Sequence, residues 1–386
     1  MQPERELTIS SALKQVLVPL TLCLIFDLGA GIFLGISFEK LLTTYPEILI
    51  VIPGLMGLRG NVFGSLGSRI STSLYLGSSD PSIRDEYISK NVFFSIWAAT
   101  VPALILFMIA AIKFFGKEGL TTTFQIILDS SVMISAILGI FTAIIVIESF
   151  RRGLDPDNIM GPAVTTFADL VSIPSIVLFI FIFERYAAAW VSTMILAVIL
   201  TVSIYLSVRG GYDKKAYKEV LMIVSLLALI QSVTGNILQE FSEIIHRAVF
   251  LSFAYPAVIG SIGNYGSIMV ARTSTKLHLG ELPSRKFVDA VYIFPTSLII
   301  APIIFILAFF SASIFAGMAL PELKDFLYFL AVYLALTAFV LLFSTALSIW
   351  LHRMGVDPDN GGIPLTTTLT DIIGTLSVVI LAYLIA

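Results

Sequence analysis

Long apolar runs follow one another from the first residues to the last, and short polar connections such as "GSSDPSIRDEY" and "RRGLDPDN" separate them. A helix rises ~1.5 Å per residue, so about twenty apolar residues cross a ~30 Å hydrocarbon core. The pattern predicts eleven transmembrane helices, at about 14–38, 46–76, 90–115, 125–150, 159–184, 187–208, 217–244, 250–278, 287–316, 325–351 and 361–386. No low-complexity tract or soluble domain is expected between them. The first run contains Asp27 and several glycines and lacks a basic start and a small-residue cleavage site, so it reads as a span rather than a signal peptide.

Polar residues interrupt the pattern at a few places, and the interruptions are informative. The stretch "GLMGLRGNVFGSLGSRIST" (54–72) carries five glycines, an asparagine and two arginines inside an apolar region. Gly54, Gly57, Gly60, Gly64 and Gly67 recur every three or four residues and share one face of a helix. Such a face lets another backbone approach closely. Where a helix is interrupted, it also exposes carbonyls to a water-filled path.

The stretch occurs twice. "PGLMGLRGNVFGSLGSRISTSLYLG" (53–77) matches "PAVIGSIGNYGSIMVARTSTKLHLG" (256–280), with Gly60, Asn61 and Arg69 answered by Gly263, Asn264 and Arg272. A second pair follows in the same order: "RRGLDPDNIMGPAVTTFADL" (151–170) and "RMGVDPDNGGIPLTTTLTDI" (353–372). Here Pro162, Thr165, Thr166 and Asp169 are answered by Pro364, Thr367, Thr368 and Asp371. The repeated motifs lie six helices apart, an even number, so both halves point the same way through the membrane. The expected architecture is therefore all-α and polytopic: a five-helix repeat over 1–184, a linker helix within 185–216, and a parallel five-helix repeat over 217–386. It corresponds to a symmetric dimer fused into one chain, with its pseudo-twofold axis along the membrane normal and a central path between the repeats.

Composition agrees with a membrane protein: 57% hydrophobic residues, 13% charged, and a mean hydropathy of +0.97. The net charge of −3 says little about partners, and nothing points to nucleic acid. The distribution of positive charge says more. Sixteen Lys and Arg fall on the side of the membrane where the chain begins and six on the other, with Arg59 inside a helix. That bias puts the N-terminus in the cytoplasm, and an odd span count puts the C-terminus outside. Cys23 is the only cysteine, three histidines are scattered, and there is no GxxxxGK[ST] loop. Disulfides, a zinc centre, an organic cofactor and ATP drive are not expected.

Candidate chemistry centres on Asp169 and Asp371. Asn158 and Asn360 are expected as helix N-caps, with Pro162 and Pro364 in the first turns. Asp169 then lies eleven residues along its helix, ~16 Å deep, near mid-membrane. A carboxylate there costs about 2.5–3.5 kcal/mol, and the cost is incurred at two matching positions. Paired carboxylates suit a hard divalent cation. Mg²⁺ demands octahedral oxygen ligands and dehydrates reluctantly, so it would be held mostly through its own water. Thr165, Thr166, Thr367 and Thr368, one turn away, offer hydroxyls, or else back-bond to their own helix. Asn61 and Asn264 offer amides beside Gly60 and Gly263. Asp27 lies at a comparable depth without a repeated partner and ranks below the pair. Asp155, Asp157, Asp357 and Asp359 read as turn chemistry or as a cation-attracting mouth. Arg69 and Arg272, at helix ends, read as anchors reaching the headgroups.

These motifs resemble the MgtE-type magnesium transporters, and in particular their duplicated relatives, the solute-carrier magnesium transporters of animals. The carrying residues are "PGLMGLRGN…SRIST", "YPAVIGSIGN…ARTSTKLHLG", the two "DPDN…P…TT…D" segments and "SFEKLL" at 37–42. The resemblance implies a five-helix unit used twice around an ion path, with Mg²⁺ as the transported ion and Mn²⁺, Co²⁺ or Zn²⁺ as further candidates. It implies that Asp169 and Asp371 bind the ion and that Gly60, Asn61, Gly263 and Asn264 line its path. The bacterial members' long cytoplasmic sensor is not expected, since about 13 residues precede the first span.

Three mechanisms fit the residues. The first is a passive or gated channel, for which inward flux needs no coupling. The second is an exchanger using Na⁺ or H⁺, with Asp27 and Glu148 as coupling candidates. The third, an intramembrane aspartic protease built on two aspartates, leaves the repeated Gly-Asn unexplained.

Overall fold

A computed structural model describes residues 9–153, 156–211, 213–278, 287–319, 321–355 and 358–386. Every regular element among them is helical: α1 (Ile9–Thr43), α2 (Pro46–Tyr75), α3 (Glu86–Ala98), α4 (Thr100–Lys113), α5 (Leu120–Arg151), α6 (Pro156–Arg185), α7 (Trp190–Val208), α8 (Lys214–Glu240), α9 (Ser242–Arg247), α10 (Phe250–His278), α11 (Val288–Ile293), α12 (Ser297–Ala316), α13 (Leu323–Arg353) and α14 (Pro358–Ile385), with a single 3₁₀ turn between α11 and α12. Ten candidate spans among the described residues are long and apolar enough to cross a membrane, with α3–α4 and α11–α12 each making one. The expected count was eleven. The segment not among the ten is α10, the second glycine-rich stretch, whose glycine and polar positions dilute its apolar character.

The helices form two compact units that do not follow the order of the repeats. An internal unit comprises Glu39–Glu240, and a terminal unit comprises Met1–Phe38 with Phe241–Ala386. Helix α1 thus belongs with α10–α14, and α8 belongs with α2–α6. Against the expected repeats, each unit thus joins the first helix of one repeat to the later helices of the other, with α7 in the internal unit.

Two glycines explain how each exchanged helix seats. A Cβ at Gly235 of α8 would lie 1.9 Å from the Ile50 carbonyl oxygen on α2, and one at Gly31 of α1 would lie 2.0 Å from the Phe253 carbonyl oxygen on α10. Ile50 and Phe253 are themselves related by the repeat, so the two crossings are the same contact made twice.

In the internal unit, α2 is the hub, packed by α8, α6, α5 and α4. Its Val62, Phe63, Leu66 and Ile70 join Ile134, Leu138 and Val146 of α5 and Val164 and Ala168 of α6 in one core. The linker helix α7 is fastened to this unit by hydrogen bonds. The buried Asp129 carboxylate accepts from Ser192 (2.7 Å) and Thr193 (3.0 Å) in the first turn of α7, and Trp97 donates to Ser207 (3.0 Å) near its end. In the terminal unit, α10 is the hub for α14, α13 and α12. Phe250, Phe305, Phe309 and Phe329 fill its core.

Candidate cation site

Helix α6 opens on Pro156 and α14 on Pro358, three residues ahead of the expected starts at 159 and 361. The N-cap reading of Asn158 and Asn360 is therefore corrected, since both lie inside helices. Proline suits a first position, with its preset φ and no amide proton to orphan. Asp155 and Asp357 lie outside the described residues, as do the side chains of Asp157 and Asp359. Pro364 falls inside α14 rather than in its first turn. The shift leaves the aspartates in mid-helix. Asp169 is the fourteenth residue of the thirty in α6, and Asp371 the fourteenth of the twenty-eight in α14.

In the internal unit, Gly60 of α2 meets α6 beside this aspartate. A Cβ at Gly60 would lie 2.8 Å from Thr165 Cγ2, so the glycine admits the threonine side chain. The glycine stripe serves more than one neighbour: at Gly54 the nearest atoms belong to Leu106 of α4 and Gln231 of α8, and Gly64 meets nothing within 4 Å. Helix α2 runs through these glycines without interruption, so its carbonyls remain inside the helix. Asn61 is half-buried, as is Asn264 on α10.

A residue that sequence reasoning passed over dominates this site. Arg59 is 1% exposed and is the single buried Lys or Arg among the described side chains. Its Nη1 donates to Ser172 Oγ on α6, and its guanidinium acts electrostatically on Asp169, three residues earlier on the same helix. Its Nε and Nη2 are buried without a hydrogen-bond acceptor. The signal was present in the sequence: an arginine inside an apolar, glycine-rich helix requires an anion close by.

The corresponding site in the terminal unit has different chemistry. Ile262 stands where α2 has Arg59 and is fully buried. Asp371 is 7% exposed, with the Tyr255 hydroxyl in its electrostatic vicinity and held 2.9 Å from Thr375 Oγ1. Thr370 approaches Gly263. Thr367 back-bonds to the carbonyls of Ile363 and Pro364, both at 3.1 Å. Thr368 does not: its hydroxyl is buried and has no partner among the described residues. Thr166, its counterpart in α6, is buried too but does interact with a neighbour.

Asp27 belongs to the terminal unit. It is 1% exposed and packed so closely on α10 that a Cβ at Gly260 would lie 2.3 Å from its Oδ2. Tyr333, which donates to Ser261 at 2.8 Å, feels its charge. The offset that aligns Gly31 with Gly235 puts Gln231 where α1 has Asp27, so the acid has a neutral counterpart.

Other expected roles are revised. Arg69 does not reach for headgroups: it donates to Asn91 (2.9 Å), Ser65 (2.8 Å) and Ser95 (3.3 Å) and lies over the Phe94 ring. Arg272 sits 3.9 Å from Asp289, which also pairs with Lys276 at 2.7 Å. Glu148 pairs with Arg152 in the last turn of α5, at its exposed end, away from the depth a coupling site would need. No three His, Cys, Asp or Glu side chains among the described residues converge as a metal cage.

Comparison with known families is decisive at this point. The family model described as MgtE, divalent cation transporter, matches residues 52–179 and 255–381, one segment in each expected repeat. The chain belongs to the MgtE family of divalent cation transporters. As a member it is an integral membrane transporter rather than an enzyme, and the protease reading falls away. Among curated proteins, this MgtE-family chain is 26% identical to human solute carrier family 41 member 2, over 94% of its own length and 68% of that protein's. It is 26% identical to the mouse member 3, over 94% and 80%. It is 31% identical to the magnesium transporter MgtE of Bacillus subtilis, over 43% of this chain and 37% of that protein. No solved structure matches.

Proposed function

We propose that this protein carries Mg²⁺ across the membrane along a path that meets Asp169 and Asp371, with the ion keeping most of its water. The observation that supports this reading is the repeated "DPDN…P…TT…D" helix. In a family of divalent cation transporters, it sets a carboxylate at the same mid-helix position in both halves. Gly60 and Gly263 keep the neighbouring helix free of side-chain bulk. Asn61, Asn264 and the Thr165, Thr166, Thr367 and Thr368 hydroxyls are oxygens suited to a hydrated ion's outer face. Mg²⁺ dehydrates reluctantly, which favours a hydrated ion over a stripped one.

The path runs inward without coupling. A divalent ion entering down 100 mV gains about 4.6 kcal/mol, twice the ~2.3 per elementary charge. The N-terminus lies in the cytoplasm and the C-terminus outside, as the charge bias requires.

Purified protein in proteoliposomes tests the reading. Mg²⁺ uptake should follow the membrane potential and be unchanged by an imposed Na⁺ or proton gradient; uptake that requires either gradient assigns an exchanger. Asp169→Asn and Asp371→Asn should each remove most of the flux. Normal transport by both variants would sink the assignment.

A further inference from the structure

A cavity in the internal unit lies where two spans end. Between the first turns of α3 and the turn that joins α7 to α8 there is an open space of about 250 Å³. Lys90 on α3 and Arg209 just past α7 line it with positive charge, and Phe93 and Leu206 line it with apolar surface. Its walls are tied together. The Tyr217 hydroxyl of α8 contacts the carbonyls of Ser207 (3.2 Å) and Lys90 (3.4 Å). Gly210 has a φ of +75°, and a Cβ there would lie 3.4 Å from Lys90 Nζ, so the turn closes directly over the lysine. Lys90 in return donates to the Gly211 carbonyl at 3.2 Å.

We propose that this cavity binds the phosphate of an anionic phospholipid, with Lys90 and Arg209 as its charged contacts and the acyl chains lying along α7.

Charge is the first argument. The Arg209 guanidinium lies 5.9 Å from the centre of the Tyr205 ring and pairs with no carboxylate among the described residues. Its planar set of donors matches the oxygens of a phosphate. Lys90 does have a partner, Glu86 at 2.6 Å, but that side chain is 79% exposed, and a pair so open to water holds the lysine weakly. Lys214, Lys215 and Lys218 follow within ten residues of Arg209. The acid among them, Asp213, already accepts from the Lys215 and Ala216 amides.

Place is the second argument. Tyrosines at the ends of spans sit at the level of the headgroups, and basic pockets between transmembrane helices suit their phosphates. Ile195, Ile199, Val202 and Leu206 recur every three or four residues along α7, and the first three are exposed. That row continues the cavity's apolar surface along the span and gives acyl chains somewhere to lie, whereas a free anion has no use for it. The bound phosphate bridges α3 to the α7–α8 turn, at the opposite end of the linker helix from Asp129.

Native mass spectrometry of the full chain, released from detergent with added phosphatidylglycerol or phosphatidylcholine, tests the proposal. Wild type should retain one phosphatidylglycerol in preference to phosphatidylcholine. Arg209→Gln should weaken phosphatidylglycerol binding about fivefold and leave phosphatidylcholine unchanged. Glu86→Gln should strengthen it, because Lys90 is then released to the phosphate; a merely structural role for these residues does not predict opposite signs. Ser89→Trp, which fills the cavity without changing its charge, should remove the preference. Arg84→Gln, at an exposed arginine outside the cavity, should keep it. Equal retention of the two lipids by wild type overturns the proposal, as does full preference in Arg209→Gln or weaker binding in Glu86→Gln. An equal loss in Arg84→Gln would show general surface charge and overturns it too. Inorganic phosphate that binds with the same dependence on Arg209, in a chain with no preference between the lipids, assigns a free-anion site instead. If Ser89→Trp fails to fold, the Arg209 and Glu86 variants decide alone.

Discussion

At the residue scale, a buried charge is tolerated for what it faces. Asp129 shows the structural case: its carboxylate is spent on two hydroxyls of α7. Asp129→Leu should leave Ser192 and Thr193 without their acceptor and lower stability by about 1–3 kcal/mol. A thermal melt in detergent reads this as an earlier midpoint, and no shift would remove Asp129 from the contacts that seat α7. Asp371 and Asp169 are the functional case we propose, and hydration is the property to probe there. Cobalt(III) hexaammine mimics hydrated Mg²⁺ and cannot exchange its ligands, so it should block Mg²⁺ flux, and the block should weaken in Asp371→Asn. Mg²⁺ bonded directly to a carboxylate at about 2.1 Å in an ion-bound structure would show instead that the ion is stripped.

At the element scale, the crossings of α1 on α10 and of α8 on α2 depend on a single absent Cβ each. The clashing atom is a backbone oxygen in both cases, which cannot rotate aside. Gly31→Ala and Gly235→Ala should each destabilise the chain by about 1–3 kcal/mol or more, as overpacking does. Gly64→Ala, which meets nothing within 4 Å, should lie within about 0.5 kcal/mol of wild type. Hydrogen exchange localises the damage. Gly31→Ala should raise exchange in α10, which is distant in sequence, and Gly235→Ala in α2. Faster exchange confined to the substituted helix would contradict the exchanged packing.

At the scale of the whole molecule, the parallel-repeat reading gives α7 a topological task as well as a docking site. On that reading, crossing the membrane once more lets the second half begin on the same side as the first, so that both glycine motifs run in one direction. Deleting 187–208 should abolish transport by inverting everything downstream. In the intact chain, a tag at the C-terminus should react with an impermeant reagent applied from outside. A cytoplasmic C-terminus would break the parallel-repeat argument.

The local pattern determined a good deal unaided. Helical periodicity, apolar run length and two repeated motifs dictate membrane helices, an internal duplication and the position of Asp169 and Asp371, because each is a property of residues close together along the chain. Helix starts fall three residues earlier than expected at α6 and α14, since proline and asparagine both suit a helix entrance and only the backbone path chooses between them. Tertiary structure alone decided which helices share a unit: a small residue such as Gly31 advertises a close approach without naming its partner. It also decided what Arg59 and Asp129 face. A buried charge must be answered, but the answering group can come from any helix that passes within a few ångströms, and contacts between residues more than sixty positions apart leave no periodicity to read.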